Sequence, residues 1–400
     1  INLNVGLRYM PEDTRLNYSH GSVGHIDTTR TVQTFAPNLR LRVKFSKTQR
    51  LDFFYRGETN QPSMTNLLNV VDNSNPLYIK VGNPGLKPSW SDNFRLFYNG
   101  YNTESQRGIM GNLSFTNERN AVTQMLIYDD ASGRQFTRPE NINGNWTANG
   151  GFTFNTPLNA TKMFTMSTST NLNLSHSVGY IATTSQPITV ADAPNLSQVN
   201  QLFAGAVTQK STNRISGFSE KLDFSYRRNL WDVTLDGRVS YQHSRSSLNP
   251  SQNLDTWSYD YGVSTNITLP WSISLSTDLR MTSRRGFASS ELNTNELVWN
   301  ASLSKSFLKG NALTMRLEGF DLLNQQNNIS RSLTALMRTD TWSNRLNTYV
   351  MLHAILKLNV FGGAKLPTPP EDHGPGGHGE QRGPGNFRPS MPPGGGGRIF

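Results

Sequence analysis

The sequence predicts an all-β fold, an antiparallel transmembrane β-barrel with a disordered C-terminal tail. Three observations carry this expectation. Apolar residues recur at every second position through most of residues 1–361. The connections between these segments alternate short and long. After Val360 the composition turns abruptly to glycine and proline. A strand sends successive side chains to opposite faces, so alternation marks a sheet with one apolar and one polar surface. In a membrane barrel only one of these faces meets lipid.

The elements read in order. Ile1, Leu3, Val5, Leu7 and Tyr9 alternate with Asn2, Asn4, Gly6 and Arg8. Leu39, Leu41, Val43 and Phe45 follow against Arg40, Arg42 and Lys44, then Leu51, Phe53 and Tyr55 against Asp52 and Arg56. The same pattern returns in Phe94, Leu96 and Tyr98, in Ile109, Leu113 and Phe115, and in Trp231, Val233, Leu235, Val239 and Tyr241. Trp257 to Leu269, Ile273 to Met281, Leu297 to Leu303, Leu313 to Leu317 and Leu352 to Val360 complete the series. About fourteen strands are expected, near 1–10, 32–46, 50–58, 89–101, 107–128, 135–156, 163–181, 213–228, 230–243, 256–269, 271–283, 295–307, 312–323 and 345–361. A soluble sandwich also alternates, but its apolar rows are shorter and its second face is less charged.

Short connections are expected at 47–49, 103–106, 157–161, 228–229, 270 and 309–311, and long ones at 11–31, 59–88, 182–212, 244–255, 284–294 and 324–344. Short periplasmic turns and long extracellular loops distinguish membrane barrels. If the last strand ends in the periplasm, the first runs outward. Trp90, Trp257, Trp299 and Trp342 follow long loops, and Trp231 and Trp271 follow short turns. These six are expected in interfacial girdles, where a ring meets lipid and headgroup together; Trp146 is not placed by this reading.

Composition excludes several classes. Hydrophobic residues make up 35% and the mean hydropathy is −0.53, and no run of about 18 apolar residues suits a membrane helix. The net charge is +10, but the basic residues are scattered singly, so nucleic acid is not an expected partner. With no cysteine, disulfides, thiol catalysis and thiolate metal sites are excluded. The chain opens at Ile1, inside a strand pattern and without a signal peptide, so it is expected to be the C-terminal piece of a longer precursor. Two regions are expected: the barrel at 1–361 and a periplasmic Gly/Pro-rich tail at 362–400, too poor in apolar residues to bury a core. The tail segment 374–379 matches GxGxxG, but no strand precedes it and no helix follows, so chance explains it. His373 and His378 read as tail composition rather than a metal site.

One loop carries a resemblance. Gly82-Asn83-Pro84-Gly85-Leu86-Lys87-Pro88 resembles the "NPxLKP" element of TonB-dependent receptor barrels, where it precedes an inward-running strand, as Ser91–Tyr101 does here. The stretch 60–75 is similar to the related Bacteroidota-type outer-membrane barrels, and Glu318-Gly319-Phe320-Asp321-Leu322-Leu323-Asn324 resembles their penultimate strand. The resemblance runs nearly to Phe361, which fits the aromatic that closes many such barrels; the tail departs from the pattern, and Phe400 restores a terminal aromatic outside any expected strand. It implies a barrel of about 22 strands, an N-terminal plug outside these residues and coupling to TonB. It further implies uptake of a small ligand across a bacterial outer membrane.

No catalytic, cofactor or metal site is expected. His243, with Asp255 and Asp260 across the next loop, His176 and His353 are the residues a hydrolase would use, and seven histidines in a large barrel are expected without catalysis. His20, His25 and Asp27 share the first long loop without the spacing of a tight metal site. Binding is expected before catalysis, from loops on a rigid scaffold; loop 57–90, with Tyr78 and Trp90, is the place to seal the lumen or touch ligand, and its Pro and Gly read first as ordering a long loop. Three functions follow: a TonB-dependent receptor, a passive channel or membrane anchor for a surface complex, and a barrel hydrolase. They are separated by a plug with a TonB contact, by ion conductance, and by activity lost on changing His243.

Overall fold

The computed structural model of the chain describes residues 1–20, 24–129, 132–183, 195–248, 253–287, 290–308, 312–326, 329–333, 338–343 and 347–357. It opens on a long hairpin, β1 (Asn2–His20) and β2 (Gly24–Lys44). A short turn leads to β3 (Gln49–Asn60). Then α1 (Met64–Leu67), β4 (Val71–Asp72) and β5 (Tyr78–Val81) precede β6 (Ser89–Asn102) and β7 (Arg107–Arg119). A second hairpin, β8 (Ala121–Tyr128) and β9 (Gln135–Ile142), separates β7 from β10 (Asn145–Pro157). After β11 (Phe164–Thr183) comes α2 (Leu196–Gly205). The chain then meanders through β12 (Val207–Arg228), β13 (Trp231–Ser246), β14 (Leu254–Leu269), β15 (Ile273–Arg285), β16 (Asn295–Phe307) and β17 (Leu313–Phe320). The hairpin β18 (Ile329–Leu333) and β19 (Arg338–Trp342) forms a separate small sheet before β20 (Tyr349–Leu356). No helix among the described residues is long and apolar enough to cross a membrane.

Fourteen strands form one continuous antiparallel wall, in the order β1, β2, β3, β6, β7, β10, β11 to β17, β20. Register shows why alternation was so regular. One row across nine strands reads Leu41, Phe53, Leu96, Leu113, Gly150, Leu172, Phe218, Tyr241, Trp257. The next row reads Arg42, Asp52, Phe97, Asn112, Gly151, Asn171, Ser219, Ser240, Ser258. Apolar side chains of the first row stand exposed, Leu113 at 59% and Leu172 at 50%, whereas Asp52 of the polar row is 3% exposed. A soluble sheet would bury the first and wet the second. The inversion is what a wall with lipid outside and a polar lumen requires.

Polar residues of the inner face neutralise one another. Asp52 meets Arg42 at 2.6 Å, Arg50 at 3.5 Å and Arg40 at 3.7 Å. Arg280 holds Asp236 with two bonds of 2.9 and 3.1 Å, reaching over Gly262, which lies between them in register. A side chain at Gly262 would stand 2.8 Å from the Leu279 carbonyl, and its absence opens the path between the two charges. Arg284–Glu296 and Arg316–Glu318 repeat the device on later strands.

Several boundaries differ from expectation. The first long loop, expected at 11–31, is mostly strand: β1 and β2 stay paired from Asn2↔Arg42 to His20↔Gly24. Its polarity reflects solvent on both faces, and threonines such as Thr28, Thr29 and Thr31 suit an extended chain. The expected strands 107–128 and 135–156 each break in two. Asn120 (φ 52°) and Gly144 (φ 119°) take left-handed backbone and turn β8 and β9 out of the wall, so that β7 pairs directly with β10. The expected strand 312–323 ends at Phe320, because Asp321 (φ 42°) starts a turn whose carboxylate accepts the amides of Gln325 and Gln326. The last strand, expected at 345–361, runs from Tyr349 to Leu356; Phe361, Phe400, His373, His378 and the rest of 362–400 lie outside the described residues. Residues Ile1–Leu356 form one compact unit.

Candidate functional site: the loop-rich rim

The long connections after β3, β7, β11, β13, β15 and β17 leave the wall at one end, and the tight turns after β2, β6, β10, β12 and β14 lie at the other. At the tight end, Gln106, Lys162, Asn229, Trp271 and Leu308 adopt positive φ, as abrupt reversals of the chain demand. At the loop-rich end, three connections fold together around a hydrophobic core of their own. Ile79 and Val81 of β5, Met125 and Ile127 of β8, Phe136 of β9, Ala182 of β11, and Val199 and Phe203 of α2 are all at most 5% exposed. The wall has lipid on one side and lumen on the other, so this rim is where a dry core exists.

Sequence and local geometry explain the assembly. β5 pairs parallel with β9, and β8 pairs parallel with the end of β11, so loops distant in sequence add strands to one another. α2 is started by a capping box in which Asn195 and Gln198 each accept the other's backbone N–H. Its inner face presents Val199 and Phe203, and Arg138 lies 4.8 Å from the Phe203 ring centre.

The motif Gly82–Pro88 is the tie between two of these loops. A Cβ on Gly82 would fall 1.9 Å from the Leu68 carbonyl, so only glycine fits. Asn83 donates from its side chain to Pro139 O at 2.9 Å and closes its own turn by accepting the Gly85 amide. Leu86 is 3% exposed, and Arg30 of β2 donates to its carbonyl. Asn141 accepts the Lys87 amide at 2.7 Å and donates to the carbonyls of Lys87 (2.9 Å) and Asn120 (2.8 Å). Pro84 and Lys87 are exposed, so Lys87 contributes its backbone here and its ammonium faces solvent.

Among the described residues the tryptophan side chains fall at the two ends of the apolar face. Trp90 lies near the rim, donating to Asp92 at 2.7 Å, with Tyr55 and Arg119 on the same carboxylate. The ring occupies the space a side chain at Gly57 would need. From there aromatics run along the outer face: Tyr55, Phe94, Phe115, Trp146 and His176, with neighbouring centroids 4.9 to 6.3 Å apart. Trp146, unplaced by sequence, thus joins this row. Trp257 packs on Tyr241 at 4.6 Å, and Trp299 donates to Thr277. Trp231 and Trp271 sit at the tight-turn end, 53% and 81% exposed. Trp342 has its backbone in β19, and its side chain lies outside the description.

His176, His243 and His353 lie on three different strands, β11, β13 and β20. His243 Nδ1 lies 2.5 Å from Asp255, and Tyr241 donates to the same oxygen. Arg245 donates to His243 Nε2 at 3.0 Å, which occupies the nitrogen a general base would use. Asp260 belongs to the opposite face, where Thr282 donates to it. His176 stacks on Trp146, with Nδ1 2.6 Å from Gly144 O. His353 Nε2 lies 3.4 Å from Glu318 without hydrogen-bond geometry. His25 is exposed, the His20 side chain lies outside the description, and Asp27 is engaged by Arg15. That pair, toward the tip of the first hairpin, holds the Asp27 carboxyl below its usual range and raises the Arg15 guanidinium, each through their shared hydrogen bonds. Among the described residues no group of three or more His, Asp or Glu is placed to hold a metal ion.

The inverted wall, the one-ended loops and the ringed outer face have a counterpart among known families. No curated protein matches the chain. The model of the outer membrane protein beta-barrel family matches residues 1–203 and 210–355, most of the wall and its rim. The chain therefore belongs to the outer membrane protein beta-barrel family.

Proposed function

We propose that this outer-membrane barrel is a TonB-dependent receptor that imports a small nutrient through a plugged lumen. The observation that carries the reading is the Gly82–Pro88 element, which resembles that of such receptors and here ties the rim loops together. A rigid rim around a charge-lined lumen suits capture of a ligand before an energised step releases it inward. In this reading the loop-rich end faces outside, the tight turns and the tail face the periplasm, and Trp90, Trp231, Trp257, Trp271, Trp299 and Trp342 serve the interfacial girdles against lipid. The spacing supports it: Trp231 and Tyr241 lie ten positions apart on β13, about 33 Å along the strand and roughly 25 Å along a tilted barrel axis.

Calorimetry of the full-length, detergent-purified protein against the periplasmic domain of TonB tests this. Binding that vanishes on deletion of the plug's N-terminal segment is the expected result. A folded barrel with no binding favours the second reading, a passive channel or an anchor for a surface complex, for which the folded rim would supply the docking platform. Single-channel conductance then separates channel from anchor.

A further inference from the structure

Charge on the inner face is not evenly spread. Three consecutive inner rows of β2, β3 and β6 read Arg40, Phe54, Arg95; then Arg42, Asp52, Phe97; then Lys44, Arg50, Asn99. Asp52 is the only carboxylate in these rows. On later strands Arg280, Arg284 and Arg316 each donate to a carboxylate of their own. Asp52 is buried and takes its hydrogen bond from Arg42. Arg50 and Arg40 approach it at 3.5 and 3.7 Å, yet their side chains stay 49% and 47% exposed, and neither makes a hydrogen bond among the described residues. Arg40 lies 4.8 Å from the Phe54 ring centre, a contact that steers the guanidinium and leaves its N–H donors unspent. On the other side of Phe54 stands Arg95, exposed and with neither a hydrogen bond nor an ion pair among the described residues. The Cα atoms of Arg40 and Arg95 are two strands apart, about 10 Å at sheet spacing, a gap that two arginine side chains bridge around one small anion. Other carboxylates do not fill it. Glu58 is taken by Arg56, and Glu118 on β7 stands two rows nearer the rim and one strand on, about 14 Å from Arg95.

We infer that this row is a lumenal station for an anionic ligand, one carrying phosphate or carboxylate groups, held between the guanidiniums of Arg40 and Arg95 above Phe54. Guanidinium forks match the oxygens of either group, and a cationic groove between low-dielectric walls concentrates anions. Buried Asp52 anchors Arg42 from within the sheet and leaves the outer donors of Arg40 to the ligand. Phe54 stands five positions beyond the start of β3 at Gln49, within the wall and apart from the rim loops. The inference rests on the receptor reading for the direction of passage, and it narrows that reading to a class of ligand: what passes the rim inward is negatively charged.

The test is calorimetry of the full-length, detergent-purified protein against pyrophosphate, citrate and, as a neutral control, trehalose, all at one ionic strength. The expected result is one pyrophosphate or one citrate bound per chain and no trehalose. Pyrophosphate alone marks a phosphate ligand, citrate alone a carboxylate ligand, and both together a site that reads charge. Arg40→Gln and Arg95→Gln are each expected to weaken binding about tenfold. Arg238→Gln is expected to change nothing: it removes an inner-face cation on β13 that likewise has no partner among the described residues. Arg95 supports no other group, so its variant decides the matter even where Arg40→Gln disturbs Asp52. A folded protein that binds neither anion, an Arg95→Gln variant that binds like the parent, or an equal loss in Arg238→Gln would overturn the inference. TonB binding without anion binding removes this station and leaves the receptor; anion binding without TonB binding does the reverse.

Discussion

Removing Phe136 separates the rim from the wall. The side chain is fully buried and packs among Ile79, Val81, Met125, Ile127, Ala182, Val199 and Phe203, which come from three different connections. Phe136→Ala removes an aromatic ring from a core that cannot close over the gap without moving two parallel strand pairings. Phenylalanine-to-alanine changes in cores cost about 3–5 kcal/mol. The rim is a small unit, so this is a large part of its local stability, whereas the wall is held by thirteen antiparallel pairings that Phe136 does not touch. Hydrogen exchange followed by mass spectrometry in micelles reads both at once. Amides of β5, β8 and β9 are expected to exchange roughly a hundredfold faster or more, while β12 to β14 keep their protection. Phe136→Leu, which keeps most of the volume, produces a much smaller change. Unchanged exchange in β8 and β9 would refute the argument that this core holds the rim together. Equal loss across β12 to β14 would refute its independence from the wall.

Other consequences follow from single residues. Asn141→Ala removes three hydrogen bonds to Lys87 and Asn120, an expected loss of about 2 kcal/mol confined to the rim and read as faster exchange at residues 82–88. Asn141→Asp keeps the acceptor for the Lys87 amide and is expected to lie between the two. Asp236→Ala leaves Arg280 with its longer 3.9 Å contact to Asp278; with Arg280 about a third exposed, the cost is expected at about 2 kcal/mol, below that of a fully buried pair, and appears as a lower midpoint in urea. The Arg15–Asp27 pair stabilises the tip of the first hairpin at neutral pH. Because Asp27 is held below its usual range, that contribution is present above the ordinary aspartate pKa and disappears as pH falls through the lowered value. Proteolysis at the tip should rise on acidification in the parent and be insensitive to pH over that window in Asp27→Asn. Both groups are exposed, so a change in the melting of the whole barrel would contradict this account.

What the sequence determined by itself was the wall. A period of two persists whenever one sheet face meets lipid and the other a polar lumen, and the row from Leu41 to Trp257 keeps that period across nine strands. The short connections near 47–49, 103–106, 157–161, 228–229 and 270 likewise survive into structure, because tight turns need few residues, whereas the expected loop 11–31 is mostly strand. Tertiary structure decided which alternating segments belong to the wall. Ala121, Met125 and Ile127 alternate as wall strands do, yet β8 leaves the wall at Asn120 and buries its apolar side in the rim. Period reports that one face is apolar; it does not say whether lipid or protein covers it. The motif was legible as a string, but its work is done by backbone groups of Lys87 and a glycine pressed on the Leu68 carbonyl, and neither partner is near in sequence. Gly237 was legible only as a gap in an apolar row. That the gap is empty space between Leu222 and Tyr261 is a property of register across three strands, which no single strand contains.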